Sequence, residues 1–142
     1  SHFYGRGPIE NYIDRKGSQN IGVYTQTADE QFFPYIRPQE TGTKSDLRWW
    51  EQTDKAGKGF RITSDNVFDA SALHYSINDL DEGEEKDQRH SYQVPQSKYT
   101  ELCIDGEQYG LGGETSWRTL PLPQHRLAYG DKTFTFVITP IN

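Results

Sequence analysis

Cationic charge is scarce in this sequence. Lys and Arg number 15 against 21 Asp and Glu, for a formal net charge of −6 and an isoelectric point near 5.1. A nucleic acid or an anionic membrane calls for a basic face, so the balance argues against both partners. No apolar run is long enough to span a bilayer as a helix, and no apolar leader opens the chain. The single cysteine, Cys103, excludes an internal disulfide and a CxxC metal site; it leaves the redox compartment open between cytoplasm and periplasm. The four histidines, His2, His74, His90 and His125, show neither HxH nor HxxxH spacing and read as solvated or satisfied in the core. No G-x-S-x-G is present, which removes the serine-triad reading. Gly110-Leu111-Gly112-Gly113 lacks the following Lys and the helix that a phosphate loop needs.

Large apolar residues are thin as well. Leu, Ile, Val and Phe total 28 of 142, close to the level of about 20% below which highly charged chains tend to be disordered. Aromatic residues, at 13%, pull the other way, because disordered segments lack them. The expectation is one folded domain over residues 1–142, with an aromatic-rich core and no internal repeat or linker.

Helical periodicity is almost absent. One short helix is expected near 76–83, with Ser76 as N-cap, Asp79 completing a capping box and Gly83 ending it. The rest alternates with a period of two. Leu47, Trp49 and Glu51 fall on one face and Arg48, Trp50 and Gln52 on the other. A turn at 54–59 and the Phe60/Ile62 alternation then make residues 47–63 a β-hairpin. Further strands are expected at 67–75, with Phe68, Ala70, Ala72 and His74 on one side, at 101–105, and through Phe134, Phe136 and Ile138. The seven prolines are placed between strands. The pattern predicts an antiparallel all-β sandwich.

Carboxylates are plentiful, among them Glu10, Asp14, Glu40, Asp46, Glu51, Asp105, Glu107 and Glu114. A glycosidase needs two across a sugar, and abundance alone identifies no pair. Cys103 alternates inside a strand with no histidine nearby in sequence. Gly110-Leu-Gly-Gly-Glu-Thr-Ser-Trp117 brings the backbone close to another surface and ends in an indole able to stack on a pyranose. The same Trp suits a core position after a strained bend, and the residues alone favour the core. Gly5-Arg-Gly-Pro-Ile-Glu-Asn-Tyr-Ile-Asp-Arg15 is too polar for a core strand; Arg6 and Arg15 are expected to fork onto Glu10 or Asp14.

Four blocks in order resemble the C-terminal part of the β-galactosidase small chain, the last domain of family 2 glycoside hydrolases. They are 5–15, Pro34-Tyr-Ile-Arg-Pro-Gln-Glu-Thr-Gly42 continuing to Arg48-Trp49, Ser71-Ala-Leu-His-Tyr75, and Leu102-Cys-Ile-Asp105 through to Trp117. The resemblance implies the later half of an antiparallel β-supersandwich like that of galactose mutarotases. It implies that the catalytic glutamates, Mg²⁺ (or another divalent ion) and Na⁺ belong to a TIM barrel and its neighbours. No catalytic or metal-ligating residue is therefore assigned in this chain, and the fragment alone is expected to be inactive. Trp117 matches the indole that projects into the barrel mouth as a wall for the β-galactoside, and Gly112, Gly113 and Ser116 would shape its loop. The alternative is a stand-alone carbohydrate-binding module using Trp49, Trp50 and Trp117. A mutarotase-like enzyme, relying on His74 or His125, ranks last because it rests on fold kinship alone. Half a sandwich leaves an unpaired edge, so the isolated chain is expected to self-associate.

Overall fold

The computed structural model describes residues 1–81, 83–84, 89–113 and 119–142, and the structural statements below concern those residues. The chain is all-β and antiparallel, with a few short helices. Six strands occur among the described residues: β1 (His2–Gly7), β2 (Asn20–Thr25), β3 (Lys44–Thr53), β4 (Gly59–Leu73), β5 (Glu101–Asp105) and β6 (Phe136–Ile141). They form one sheet in the order β2-β1-β3-β4-β5, with β6 also pairing β4.

Alternation produces the core directly. Phe3, Trp50 and Ile62 are successive partners across β1, β3 and β4, and all three are fully buried. The Phe3 and Trp50 rings stack at 5.1 Å and 12°, an offset arrangement that adds to area burial. Leu47, Phe68, Ala70 and Ala72 complete the cluster, with Phe134 packed against it. The expected hairpin is present. Asp54 ties its turn by accepting from the Ala56 and Lys58 N–H groups at 2.8 and 3.0 Å.

Several expectations need correction. Leu47 and Trp49 do not share a face, because Leu47 and Trp50 both enter the core. The register shifts between Leu47, paired with Phe68, and Trp49, paired with Thr63; the extra residues on β4 form a bulge that re-aims the side chains. Residues 59–63 and 67–73 are not separate strands but parts of β4, whose first part pairs β6 and second part β5. The polar segment at 5–7 belongs to β1, which lies between β2 and β3. Gly5 makes that possible, because a Cβ there would come within 2.7 Å of Leu47 Cδ2. Pro140 lies inside β6 rather than between strands; β6 has β4 as its one strand partner in the sheet, so a missing N–H is tolerated.

Two one-turn helices brace the sheet. α1 (Ala28–Gln31), unforeseen in the sequence, is closed by a capping box between Thr27 and Glu30. α2 (Ile77–Leu80) has the expected Ser76–Asp79 capping box but ends at Asp81, with the Asp81 N–H donating to the Ile77 carbonyl. The first strand is tied down from its start: the Ser1 nitrogen donates to the Gln26 carbonyl at 2.7 Å.

Candidate functional site

Beyond β5 the chain runs through Gly106 to the glycine-rich segment. Gly110 is buried, and its N–H donates to the His125 carbonyl at 2.8 Å. Gly112 has φ +96°, and a Cβ there would stand 2.6 Å from the Thr119 carbonyl oxygen. Backbone handedness and steric room therefore both demand glycine at this position. A Cβ on Gly113 would meet Thr119 Cγ2 at 2.5 Å. The Gly113 N–H donates to the Thr119 carbonyl at 3.4 Å, joining the two residues that flank 114–118 in the sequence. Trp117, Ser116 and the candidate carboxylate Glu114 lie outside the described residues.

The first sequence block holds this segment. A 3-10 turn at Ile13–Ser18 presents Asp14 and Arg15. Asp14 Oδ2 accepts the Gly112 N–H at 2.9 Å, and Arg15 Nη2 donates to the Gly112 carbonyl at 2.6 Å. Arg15 Nη1 stands 3.3 Å from Asp14 Oδ2, so the arginine braces the carboxylate that it works beside. The Asp14 side chain is only 6% exposed. Burial pushes its carboxyl upward, but the Gly112 and Leu111 N–H groups and the Arg15 charge outweigh that and hold it below the usual carboxylate range. A cleft of about 250 Å³ opens here, lined by Asp14, Arg15, Gly112, Gly113, Thr119 and His125 among others.

The turn is itself fastened to the sheet. Buried Asn11 donates through Nδ2 to the Arg15 carbonyl at 2.8 Å, and its Oδ1 accepts from Ser45 Oγ of β3. The Asn11 N–H donates to the Thr43 carbonyl at 2.7 Å. Next to it, Glu10 accepts from Tyr12, Tyr35, Thr41 and the Gly42 N–H. Burial raises the Glu10 carboxyl and these bonds lower it, for a net value below its usual range; the Tyr35 phenol is pushed up to about 12 by burial and by Glu10.

The other candidate carboxylates are largely committed. Arg6 pairs with Asp46 rather than with Glu10 or Asp14, at 2.7 Å, and Lys16 takes the other Asp46 oxygen at 2.7 Å. Glu51 pairs with Arg61 at 2.9 Å and with His2 at 3.1 Å. Glu107 meets Lys132 at 2.8 Å. Glu40 and Asp105 line a second cleft of about 430 Å³ with Tyr12, Tyr35 and Tyr109. Burial first, and the Asp105 charge second, raise the Glu40 carboxyl.

The remaining candidates fall into structural places. Trp50 is sealed at 0% exposure, which removes it as a sugar platform. Trp49 lies on the opposite face beneath the Arg61 guanidinium, 4.6 Å from its ring centroid. His74 contacts Asp29 at 3.0 Å, and His90 stacks on Tyr92. The Cys103 thiol is raised by burial, the opposite of what a nucleophile needs. Lys44, fully buried in β3 with its ammonium on the Gly42 carbonyl, was invisible to sequence reasoning; burial lowers it to about 8. The grip of Asp14 and Arg15 on Gly112 was also missed, because it joins residues about a hundred positions apart.

The family described as "Beta galactosidase small chain" matches residues 1–138. The chain is 36% identical over 141 residues to a β-galactosidase of Priestia megaterium, covering 98% of this chain and 13% of that protein. It is 37% identical over 128 residues to β-galactosidase BgaC of Bifidobacterium adolescentis, covering 88% of this chain and 12% of that protein. A β-galactosidase of Lactobacillus delbrueckii subsp. bulgaricus shares 33% identity over 141 residues, again 98% of this chain and 13% of the relative. The chain thus spans about an eighth of the length of the relatives it matches, and across nearly all of its own length it belongs to the β-galactosidase small chain family.

Proposed function

We propose that the chain is the C-terminal accessory domain of a β-galactosidase, an enzyme that hydrolyses terminal β-D-galactosides. In this reading it scaffolds a TIM barrel and lends Trp117 to one wall of the sugar pocket. The observation that carries the proposal is the near-complete match of this chain to a small part of several β-galactosidases. An accessory role also suits the carboxylates. Glu10, Asp14, Asp46 and Glu51 are each engaged in structural bonds, and in this reading the hydrolytic glutamates are the barrel's. In the same reading Mg²⁺ and Na⁺ are held there.

The chemistry left to this domain is recognition. An indole against the C–H face of a pyranose contributes about 1–2 kcal/mol by burial and dispersion. The intact enzyme carrying Trp117→Ala should therefore show KM for a chromogenic β-galactoside raised by about 5- to 30-fold. kcat should change less. Unchanged kinetics in the folded variant would remove the platform role. Galactose or lactose titrated into the isolated chain should release little heat, because most of the pocket belongs to the barrel; binding tighter than about millimolar would favour a self-sufficient carbohydrate-binding module.

A further inference from the structure

We infer that the cavity where the end of β2, α1 and the start of β3 meet binds a vicinal diol, as a small polyol or a single sugar ring presents it. The cavity has a volume of about 180 Å³ and is walled by Ile9, Gln26, Gln31, Phe33 and Lys44 among others. That is below the roughly 300–1,000 Å³ of sites for drug-sized ligands, and about six times the liquid volume of one water. Its buried end is polar and under-used. Lys44 is 1% exposed, and among the described residues its ammonium donates once, to the Gly42 carbonyl at 2.9 Å. An ammonium carries three N–H donors, so two are left over. Gln31, 4% exposed, spends its Nε2 on Ser1 Oγ at 2.9 Å and on the Thr27 carbonyl at 3.3 Å. With both amide protons committed, the oxygen is fixed on the opposite branch, and this buried Oε1 accepts from no group among the described residues. The Oε1 of Gln26 is buried and unpartnered in the same way. Buried carbonyl oxygens are nearly always bonded, so two of them on one cavity mark a place for donors. Charge selects what brings those donors. Glu10 and Glu30 also line the cavity, but their oxygens are held by Tyr35, Thr41 and Gly42 and by Thr27. Their charges oppose an anion drawn to Lys44, and Lys44 opposes a cation. A neutral hydroxyl meets both needs, accepting from the ammonium and donating to an amide oxygen. Two adjacent hydroxyls can serve both glutamines. Phe33 and Ile9, 49% and 59% exposed, offer apolar surface at the mouth for the C–H face of the carbon skeleton.

Titration of the ¹⁵N-labelled 142-residue chain with D-galactose, D-glucose and glycerol, followed by ¹H–¹⁵N correlation spectra, tests this. The side-chain amide signals of Gln26 and Gln31 should shift and saturate with a Kd of about 2–20 mM, the range expected of so small a ligand. That is weaker than the limit given above for a self-sufficient carbohydrate-binding module. Gln26→Leu removes an oxygen that no described group uses. The fold should therefore hold while Kd, read at Gln31, rises by about fivefold or more. Lys44→Met should weaken binding likewise, and Gln26→Leu decides the matter should Lys44→Met fail to fold. Tighter binding of the hexoses than of glycerol assigns the site to a sugar ring, and the reverse to an open-chain polyol; either upholds the diol site. Signals that drift without saturating up to about 200 mM, or a wild-type Kd in folded Gln26→Leu, overturn it and leave the cavity to water. Neither result bears on the accessory-domain reading, whose own test is Trp117→Ala in the intact enzyme.

Discussion

At the scale of single residues, the buried ionisable groups divide into those stabilised by bonds and those held at a cost. Asp14, Glu10 and Asp46 each collect enough donors to stay ionised below their ordinary range. Asp69 does not. Burial, partly offset by the Asp46 N–H and reinforced by the Asp46 charge, pushes its carboxyl up to about 6. An unfolded chain would titrate near 3.8, so folding takes up a proton between 3.8 and about 6. Stability therefore falls as pH rises through that window and stays lower above it. Asp69→Asn removes the charge and keeps an oxygen for the Asp46 N–H, which donates to Oδ1 at 3.2 Å. Denaturant unfolding at pH 7.5 should show a gain of about 1–3 kcal/mol, shrinking to near zero at pH 4. A gain of the same size at both pH values would mean that packing, not charge, was responsible.

At the scale of elements, short helices depend on their caps because they have so few internal bonds. α1 is a single turn whose Ala28 and Gln31 are buried, and Gln31 Nε2 donates to Ser1 Oγ at 2.9 Å. Thr27 Oγ1 accepts the Glu30 N–H at 3.3 Å and Glu30 Oε2 accepts the Thr27 N–H at 2.7 Å. Thr27→Ala should lower unfolding free energy by about 1 kcal/mol while Thr27→Ser stays close to wild type; equal stability of all three proteins would show that tertiary packing alone holds the turn. The Thr27-x-x-Glu30 signal was present in the sequence, as was the Ser76-x-x-Asp79 signal that did lead to α2. Four residues are too few to show helical periodicity, so a cap signal by itself does not mark a one-turn helix. The hairpin, the class of fold and β5 were legible because alternation with turn residues at the ends leaves few other choices. The central place of β1 was not, since Gly5, Arg6 and Gly7 fit there through close backbone approach and a pairing with Asp46 on β3. The alternation of β3 misled at Leu47 because a bulge on a partner strand leaves no mark on the strand that is read. At the candidate site, Gly112 and Gly113 could be singled out by composition, whereas Asp14 and Arg15 gain their place only once the ends of the chain meet.

At the scale of the whole molecule, the sheet has unfinished margins. β2 lies at one edge, where Ile21 and Val23 are exposed. β6, paired with β4, exposes Val137 and Ile138. Unpaired strand groups beside apolar side chains recruit further strands. The isolated chain should therefore sediment as a dimer or larger species at high concentration, and charged substitutions at Val23 and Val137 should shift it toward monomer. A monomer at every concentration would show that these margins are adequately shielded by their polar neighbours.

The sealed position of Trp50 has a use at the bench. Its ring lies against Phe3 with no solvent beside it, while Trp49 lies on the other face of the sheet. Its emission should stay blue and steady when sugars or quenchers are added, until the fold itself gives way. Iodide, a charged quencher, would then dim Trp49 and leave Trp50 as an unquenched internal standard for ratiometric binding assays on the native protein.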